Sequence, residues 1–282
     1  MSKYIAAVIL YNPNINQLQK CLVPIVNNVD LIYFIDNASE NNDEIDYFVN
    51  KFPKAQFVRN SQNQGLSKPF NQLLKYSKEH GFSHLLLLDQ DSEPSSNFME
   101  ELKKHADKNF VCYAPLLVHK SSDYQKTYGC SPHDETEIIK ESINSGTLIN
   151  LNELPANICF DENLFIDWID IDFFYQLELA SKKCLRINNA KLLIDIGNQK
   201  IHHVFKYTWF SSGYSAFRLK KQAHDTVYFY LKYRKHQFVK GHITFLLWRW
   251  LMMFFFEKKR IRKSLAIISG LIQGFRQYKY LY

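Results

Sequence analysis

The sequence has few of the residues that cross-link a chain or interrupt its secondary structure. Its 282 residues include only nine glycines, eight prolines and five cysteines. With 46% hydrophobic residues, this composition argues against disorder and predicts a substantial packed core. The cysteines are widely spaced and form no C-x-x-C pair, so we expect reduced, mostly buried thiols in a cytosolic protein.

Long apolar runs and glycine-rich phosphate motifs are also missing. Tyr4–Tyr11 is too short for a signal peptide and leads straight into a polar loop. Ile243–Phe256 is apolar over 14 residues and contains Arg249, whereas a helix needs about 20 to span a membrane. Neither G-x-G-x-x-G nor G-x-x-x-x-G-K-[ST] occurs, which removes the main support for a dinucleotide-binding or P-loop protein.

Charge is distributed unevenly along the chain. The net charge is +7, but from Arg218 onward there are 15 Lys or Arg residues against two acidic ones. The preceding residues carry 20 basic and 26 acidic groups. An acidic body with a basic, aromatic tail predicts that the tail meets an anionic partner, either nucleic acid or a phospholipid surface.

The first 90 residues alternate between strand and helix patterns. Amphipathic helices separate four predicted strands, at Tyr4–Leu10, Leu31–Ile35, Gln56–Val58 and Leu85–Leu88. This alternation is typical of βαβ units. We therefore predict an α/β fold with a mostly parallel sheet flanked by helices over residues 1–200, followed by a basic, helical region over 201–282.

The most informative stretch is the fourth strand and the acidic turn after it. Leu85–Leu88 runs directly into Asp89-Gln90-Asp91, and open α/β sheets bind ligands outside the carboxyl ends of their strands. Two carboxylates placed there repel each other unless a cation lies between them. Mg²⁺ or Mn²⁺, held jointly by carboxylates and substrate phosphates, would resolve this repulsion. The alternative is an Asp-rich turn that only starts the next helix.

Polar residues also follow the first two predicted strands and precede the third helix. Tyr11 can stack on a nucleoside base, and Asp36 can accept the imide N–H of a pyrimidine. Because these loops share one edge of a parallel sheet, their side chains are expected to converge. The other polar-loop candidates are Asn12, Asn37, Asn63 and Gly65.

Six motifs occur together and in order. They are Tyr11-Asn12-Pro13, Asp36-Asn37-Ala38-Ser39, Asn63-Gln64-Gly65-Leu66 with Asn71, Leu88-Asp89-Gln90-Asp91-Ser92, Ser145-Gly146-Thr147 and Phe165-Ile166-Asp167-Trp168-Ile169-Asp170. This series resembles the inverting family 2 glycosyltransferases of the GT-A fold, specifically the bacterial rhamnosyltransferase-like branch. Each motif is weak alone, and their order makes the set specific.

The resemblance implies a role for each matching residue. Asp170 would be the catalytic base, with Asp172 beside it in the same motif. Asp91, together with Asp89, would hold Mg²⁺ or Mn²⁺ against the diphosphate of a nucleotide-sugar. The residues expected to bind the nucleotide-sugar are Tyr11, Asn12, Asp36, Asn37, Asn63, Gly65, Asn71, Asp89, Gln90 and Gly146.

One position departs from the family pattern. Relatives usually place a histidine shortly after the last strand, just before a small residue and a glycine. This chain has Ile194 there, before Asp195-Ile196-Gly197. His202 lies a few residues downstream and is the candidate metal ligand in its place.

The resemblance also implies a reaction and its partners. We expect a metal-dependent hexosyltransferase that moves L-rhamnose from dTDP-L-rhamnose, or alternatively a sugar from a UDP-sugar. The expected acceptor is a hydroxyl of a lipid-linked or oligosaccharide glycan in bacterial cell-surface polysaccharide synthesis. The tail is similar to the membrane-associating end of some family members. We therefore expect a cytoplasmic protein, peripheral on the inner face of the plasma membrane, with no nucleic-acid partner and with a homodimer as one assembly.

Two other functional classes compete with this reading. A phosphatase of the haloacid dehalogenase type also uses an apolar strand followed by D-x-D, but here two βα units precede the motif. A non-enzymatic membrane or nucleic-acid-binding module would use the basic tail, with Tyr228, Tyr230 and Tyr233 stacking on bases. For the tail itself, an interfacial membrane helix and a helical hairpin packed on the domain both stay open.

Overall fold

The computed structural model of the chain describes residues 2–106, 109–119, 134–194, 200–204, 207–211, 213–234 and 242–281. For residues 119, 200–204, 207–211, 242–247 and 249 it describes the backbone alone. The chain folds as two compact units. The first unit comprises residues 1–160 and 170–195, and the second comprises 161–169 and 196–282.

Four parallel strands form one half of the sheet in the first unit. They are β1 (Tyr4–Leu10), β2 (Leu31–Asp36), β3 (Ala55–Arg59) and β4 (His84–Asp89), in the spatial order β3-β2-β1-β4. β1 buries every residue but its first, and β4 buries every residue but its last. Such continuous burial indicates strands that are covered on both faces. The α/β prediction is confirmed, and the carboxyl ends of these strands share one edge.

The other half of the sheet is mixed, which corrects the prediction of a mostly parallel sheet. Its strands are β5 (Glu93–Pro94), β6 (Cys112–His119), β7 (Thr136–Ile139), β8 (Leu148–Asn150) and β9 (Cys184–Ile194). β8 pairs antiparallel with both β4 and β6, while β9 is parallel to β6 and antiparallel to β5 and β7. A parallel pairing requires a crossover connection, usually a helix. No helix lies between β6 and β8 in the described residues, and these two neighbours pair antiparallel.

The helices of the first unit pack their apolar faces against this sheet. They are α1 (Ile15–Leu22), α2 (Asn42–Val49), α3 (Ser67–Glu79), α4 (Phe98–His105) and α5 (Ile169–Leu179). The core contains large, fully buried side chains such as Phe34, Phe48, Phe98 and Tyr113. Burying one such side chain contributes roughly 1.5–3 kcal/mol, so this core supplies the main stabilisation of the first unit.

The second unit is a hairpin followed by three helices. Its elements are β10 (Lys200–Val204), β11 (Tyr207–Ser211), α6 (Ala216–Lys232), α7 (His242–Phe256) and α8 (Arg260–Leu281). α6 begins after Ser215, whose Oγ accepts a hydrogen bond from the backbone N–H of Arg218 at 3.2 Å. The buried core of this unit is small and is centred on Leu219, Ala223, Met253 and Ile267.

α6 and α8 approach each other at two glycines. A Cβ added at Gly270 would lie 2.1 Å from the carbonyl oxygen of Lys220, and one at Gly274 would lie 2.5 Å from that of His224. Neither distance is sterically allowed. The absent side chains therefore permit the backbones of the two helices to touch.

The opposite face of α8 is apolar and exposed. We call it the apolar stripe, and it consists of Ile261, Leu265, Ile268, Ile272 and Phe275, each at least 40% exposed. The spacing of three or four residues places these side chains on one side of the helix. Across the described ranges, no helix combines the length and the hydropathy that crossing a membrane requires.

Candidate active site

The acidic turn after β4 is pinned at both ends by one buried serine. The Oγ of Ser145, which is only 2% exposed, accepts a hydrogen bond from the backbone N–H of Asp89 at 2.9 Å. The same oxygen lies 2.8 Å from the Oγ of Ser92. Asp89 and Asp91 are exposed on this turn. The backbone of the turn is therefore fixed at both ends while these two residues are exposed.

Gln90 connects the acidic turn to the end of β1. Its Oε1 accepts from the backbone N–H of Tyr11 at 2.8 Å, and its Nε2 donates to the carbonyl of the same residue at 3.1 Å. The side chain of Tyr11 is 49% exposed. The structure thus joins the backbone of Tyr11 to the turn that carries Asp89 and Asp91.

Asn12 connects the loop after β1 to the loop after β2. Its backbone N–H donates to Ser39 Oγ at 2.8 Å, and its Oδ1 accepts from the backbone N–H of Glu40 at 2.7 Å. Asn12 has a φ of 47° and Ala38 a φ of 65°. Non-glycine residues rarely adopt this left-handed region, which indicates that the hydrogen bonds between the loops over-determine their shape.

Asp36 is fully buried at the end of β2 and already has two partners. Its Oδ2 accepts from Nε of Arg59 at 2.7 Å, and its Oδ1 accepts from the backbone N–H of Ser39 at 3.0 Å. Arg59 is the register partner of Asp36 on β3 and also bonds to Asp46 at 2.8 Å. The hydrogen bonds to Asp46, and then to Asp36, raise the pKa of the Arg59 guanidinium.

Asn37 holds the loop before α3. Its Nδ2 donates to Asn63 Oδ1 at 3.0 Å and to the carbonyl of Gly65 at 2.8 Å. Its Oδ1 accepts from the backbone N–H of Gln64 at 2.9 Å. Gly65 has a φ of 77°, a conformation that glycine adopts without steric cost. These amides position loops by bonding to each other and to the backbone.

The side chain of Asn71 on α3 bonds to the backbone of Phe160, which precedes the predicted base Asp170 in the chain. Its Nδ2 donates to the carbonyl of Phe160 and its Oδ1 accepts from the N–H of the same residue, both at 2.9 Å. The Phe160 ring stacks on Phe173 of α5 at 4.4 Å. Asn71 therefore fixes the backbone at Phe160.

The three acids of the last motif differ in their surroundings. Asp170 is partly exposed in the first turn of α5, and its Oδ1 accepts from the backbone N–H of Ile171 at 2.9 Å. Asp172 is fully buried and bonds to Gln176 at 2.6 Å. Asp167 precedes the helix, which begins at Ile169. Asp167 and Asp170 are both partly exposed, but the side chain of Asp167 bonds to Gln222, which makes Asp170 the better candidate to meet a ligand.

Gly146 serves packing rather than presenting a polar group. Its φ is 79°, and an added Cβ would lie 2.7 Å from Pro115 Cγ and 2.8 Å from Leu192 Cδ2. Its N–H donates to the carbonyl of Leu87 at 2.7 Å. This close approach holds the neighbouring Ser145 under the acidic turn.

The acidic turn offers the donor set that a hard divalent cation prefers. No group of three His, Cys, Asp or Glu side chains among the described residues could hold a metal ion alone. Mg²⁺ typically takes one or two protein carboxylates and completes its shell with phosphate oxygens and water. Two aspartates on one exposed turn, Asp89 and Asp91, fit such a shared site. The side chain of His202, the third predicted ligand, lies outside the described residues.

Three residues that hold the candidate site in place were not selected from the sequence as site residues. Ser145 pins the acidic turn, Ser39 pins Asn12, and Arg59 pairs with Asp36. The register of parallel β2 and β3 would place Arg59 beside Asp36 once both strands are known. A serine hydroxyl gives no comparable signal, because its partner is set by the tertiary fold.

The half-parallel sheet and its edge of polar loops place the protein among the GT-A glycosyltransferases by fold. The profile of glycosyl transferase family 2 matches residues 6–159, which is more than half of the chain. The chain therefore belongs to glycosyl transferase family 2, which confirms the resemblance inferred from the motifs.

Individual relatives are distant. A dTDP-rhamnosyl transferase, RfbF, of Shigella flexneri is 22% identical over 212 residues, covering 69% of this chain and 66% of its own length. A structure of GalNAc-T7 with UDP, GalNAc and Mn²⁺ is 11% identical with a TM-score of 0.58, covering 99% of this chain and 57% of that one. A structure of S. aureus TarS 1-349 with UDP-GlcNAc is 14% identical with a TM-score of 0.53, covering 97% and 81%. The chain thus spans just under two thirds of the rhamnosyl transferase, and the two structures establish the fold.

Proposed function

We propose that this chain is an inverting glycosyltransferase that moves a sugar from a nucleoside diphosphate to an acceptor hydroxyl. The observation that carries the proposal is the pair of hydrogen bonds between the side chain of Gln90 and the backbone of Tyr11. These bonds attach the backbone of Tyr11, whose side chain is 49% exposed, to the turn that carries the exposed residues Asp89 and Asp91, at the edge where α/β sheets bind ligands. A nucleotide-sugar needs both features, one for its base and one for its diphosphate.

The donor would be held by few side chains directly. Tyr11 would stack on the base. Asp36 would accept the imide N–H of the base, which requires its buried carboxylate to become accessible when the donor binds. Asn12, Asn37, Asn63, Asn71 and Gln90 maintain the loops, and Gly65 and Gly146 allow their close approach. Asp89 and Asp91 would hold Mg²⁺ or Mn²⁺, which when bound neutralises charge on the departing diphosphate.

Asp170 would act as the general base. Its carboxylate takes the proton of the acceptor hydroxyl while that oxygen forms a bond to the anomeric carbon. The bond between the anomeric carbon and the diphosphate oxygen breaks, its electron pair leaves with the nucleoside diphosphate, and the configuration inverts. A positioned general base contributes roughly 10²–10⁴-fold to the rate.

Replacement of Asp170 by Asn tests this role. The amide cannot accept the proton, so we expect the turnover number to fall by about 10²–10⁴-fold while nucleotide binding is retained. Glu178→Gln is the matched control, because Glu178 is an exposed acid on the same helix. Full transfer by Asp170→Asn would reject Asp170 as the base.

The proposed donor is dTDP-L-rhamnose, with a UDP-sugar as the alternative. Similarity to a dTDP-rhamnosyl transferase supports the first, and the fold shared with a protein solved with UDP-GlcNAc supports the second. Melting temperatures with each nucleotide-sugar, with and without Mn²⁺, decide between them, since a ligand of the folded state stabilises it in proportion to RT ln(1 + [L]/Kd). A melting-temperature shift of the same size with and without Mn²⁺ would contradict the metal assignment.

We also propose that the apolar stripe of α8 lies on an anionic membrane surface, where a lipid-linked acceptor would be met. Lys258, Lys259, Arg260 and Arg262 are exposed at its N-terminal end. Cations beside an exposed apolar face fit acidic lipid headgroups and the acyl boundary. This placement would make the protein peripheral on the cytoplasmic face.

Vesicle flotation tests this surface. We expect the full chain to float with vesicles containing phosphatidylglycerol and not with pure phosphatidylcholine. Leu265→Glu with Ile272→Glu should abolish flotation, whereas Tyr47→Ser, at an aromatic residue in the first unit that is 71% exposed, should not. A wild-type dimer in solution that the double variant dissociates would instead assign the stripe to a second copy of the chain.

A further inference from the structure

One face of α6 contacts the segment 161–169, which ends where α5 begins. The contacting side chains are spaced three or four residues apart, so they share one side of the helix. We call this set the α6 face, and it consists of Gln222, Asp225, Thr226, Phe229 and Lys232.

Asp225 is the centre of the α6 face. Its carboxylate is fully buried, and its Oδ2 accepts from the backbone N–H groups of Phe165, Ile166 and Asp167 at 3.1, 2.9 and 3.1 Å. Its Oδ1 lies 2.9 Å from Nδ1 of His224. A buried carboxylate requires such partners. Three consecutive N–H groups that meet on one oxygen leave the turn little conformational freedom.

Trp168, the next residue, has a strained backbone that α6 also supports. Its φ is 69°, an outlier for a bulky side chain. Its Nε1 donates to Thr226 Oγ1 at 2.9 Å, and its ring stacks on Phe229 at 4.8 Å with an interplanar angle of 16°. Strain of this kind persists only where the surroundings over-determine it.

The start of the segment is anchored on the same helix. Asp161 Oδ2 lies 2.7 Å from Lys232 Nζ and accepts from the hydroxyl of Tyr228 at 3.0 Å. Asp167 near the other end bonds to Gln222 through its side chain. Both ends and the middle of the segment are therefore attached to α6.

We propose that Asp225 is a positioning residue for the reaction, because it fixes the turn that immediately precedes Asp170 in the chain. Asp170 follows Trp168 by two residues, so the backbone that the α6 face holds leads directly into the first turn of α5. This inference rests on the proposed role of Asp170 as the base. A displacement of the base by about 1 Å is enough to lower a rate by about 10²-fold.

Steady-state kinetics of Asp225→Ala and Asp225→Asn test the proposal. For Asp225→Ala we expect the turnover number per folded molecule to fall by about 10²-fold, with the donor KM and the melting shift caused by dTDP or UDP unchanged. Asp225→Asn keeps one carbonyl oxygen as an acceptor, so it should recover part of the rate. Arg218→Gln, an exposed position on α6, is the control and should match the wild type.

Hydrogen exchange supplies a readout that is independent of activity. The amides of residues 165–167 should exchange slowly in the wild type and much faster in Asp225→Ala, with Asp225→Asn between the two and without a general increase elsewhere. Thr226→Val, which keeps the side-chain shape and removes the acceptor for Trp168, should lower turnover several-fold if Asp225→Ala does not fold. Fast exchange of these amides in the wild type would overturn the proposal.

The kinetic outcomes separate this inference from the proposed function. If Asp170→Asn is inactive while Asp225→Ala, or Thr226→Val in its place, turns over at the wild-type rate, the positioning role is wrong and the base stands. If Asp170→Asn is fully active, the proposed function fails in its choice of base, whatever the α6 variants do.

Discussion

The two units of the molecule differ in how far they bury their apolar residues. The first unit buries its long apolar runs within a sheet, as in β4, where Leu85–Leu88 are at most 3% exposed. The second unit has a small buried core and leaves the apolar stripe of α8 in solvent. An exposed contiguous apolar patch usually marks a surface that meets something else. The first unit therefore buries its apolar runs in its own core, whereas the second leaves an apolar surface exposed.

The largest contrast should appear when one leucine is truncated in each unit. Leu86→Ala removes a fully buried side chain from the sheet and should cost about 3–5 kcal/mol of unfolding free energy. Leu265→Ala removes a side chain that is 62% exposed, so its cost should stay within about 0.5 kcal/mol. Urea denaturation followed by circular dichroism measures both. Equal losses of unfolding free energy in the two variants would mean that the apolar stripe is packed in solution, and the two units would then not differ in this respect.

A second prediction tests how closely α6 and α8 pack against each other in the second unit. Gly270→Ala would place a Cβ against the carbonyl of Lys220, and overpacking of this kind costs about 1–3 kcal/mol. Gly81→Ala is the control, since its φ of 70° is strained but the Cβ would enter open space. Limited proteolysis should cut α8 faster in Gly270→Ala only. Resistance equal to the wild type would show that α6 and α8 separate at little cost.

The third prediction concerns pH and the anchor of the segment 161–169. Burial alone would raise the pKa of Asp161, but the charge of Lys232, with hydrogen bonds from Lys232 and Asn163, outweighs burial and lowers it. A lowered carboxyl pKa stabilises the fold above the ordinary value of 3.8, and this stabilisation is lost as pH falls through the folded value.

Lys232→Met checks this dependence. The variant should be about 2 kcal/mol less stable than the wild type near neutral pH, and the difference should shrink below about pH 4. Asn163→Ala, which removes a weaker donor, should show a smaller change of the same sign. A difference that does not change between neutral and acidic pH would reject the ion pair as its cause.

The features that were predicted from the sequence are those set by local pattern. Uninterrupted apolar runs give β1, β2 and β4, and the polar residues at their ends necessarily share an edge once the strands are parallel. The position of the acidic turn at this edge could be predicted from these strands alone. Four residues of the apolar stripe, Leu265, Ile268, Ile272 and Phe275, could also be recognised from their helical spacing, which is a local signal.

The missed features depend on residues that are distant in the chain. β8 is three residues long and antiparallel because of the partners it finds, β4 and β6. Asp225 lies about 60 residues from the N–H groups it binds, and an acid within an amphipathic helix does not indicate its acceptor role. Trp168 has a left-handed backbone, which bulky residues rarely adopt, so sequence patterns predict a negative φ at this position.

The burial of the thiols has a practical consequence for labelling. Cys21, Cys112 and Cys184 are buried, and burial raises the pKa of the Cys112 thiol well above its usual value, so thiol reagents should react slowly with them. Cys159 is exposed and lies two residues before the second unit begins. With Cys130, which lies outside the described residues, replaced by serine, a single maleimide dye would report on this junction by fluorescence.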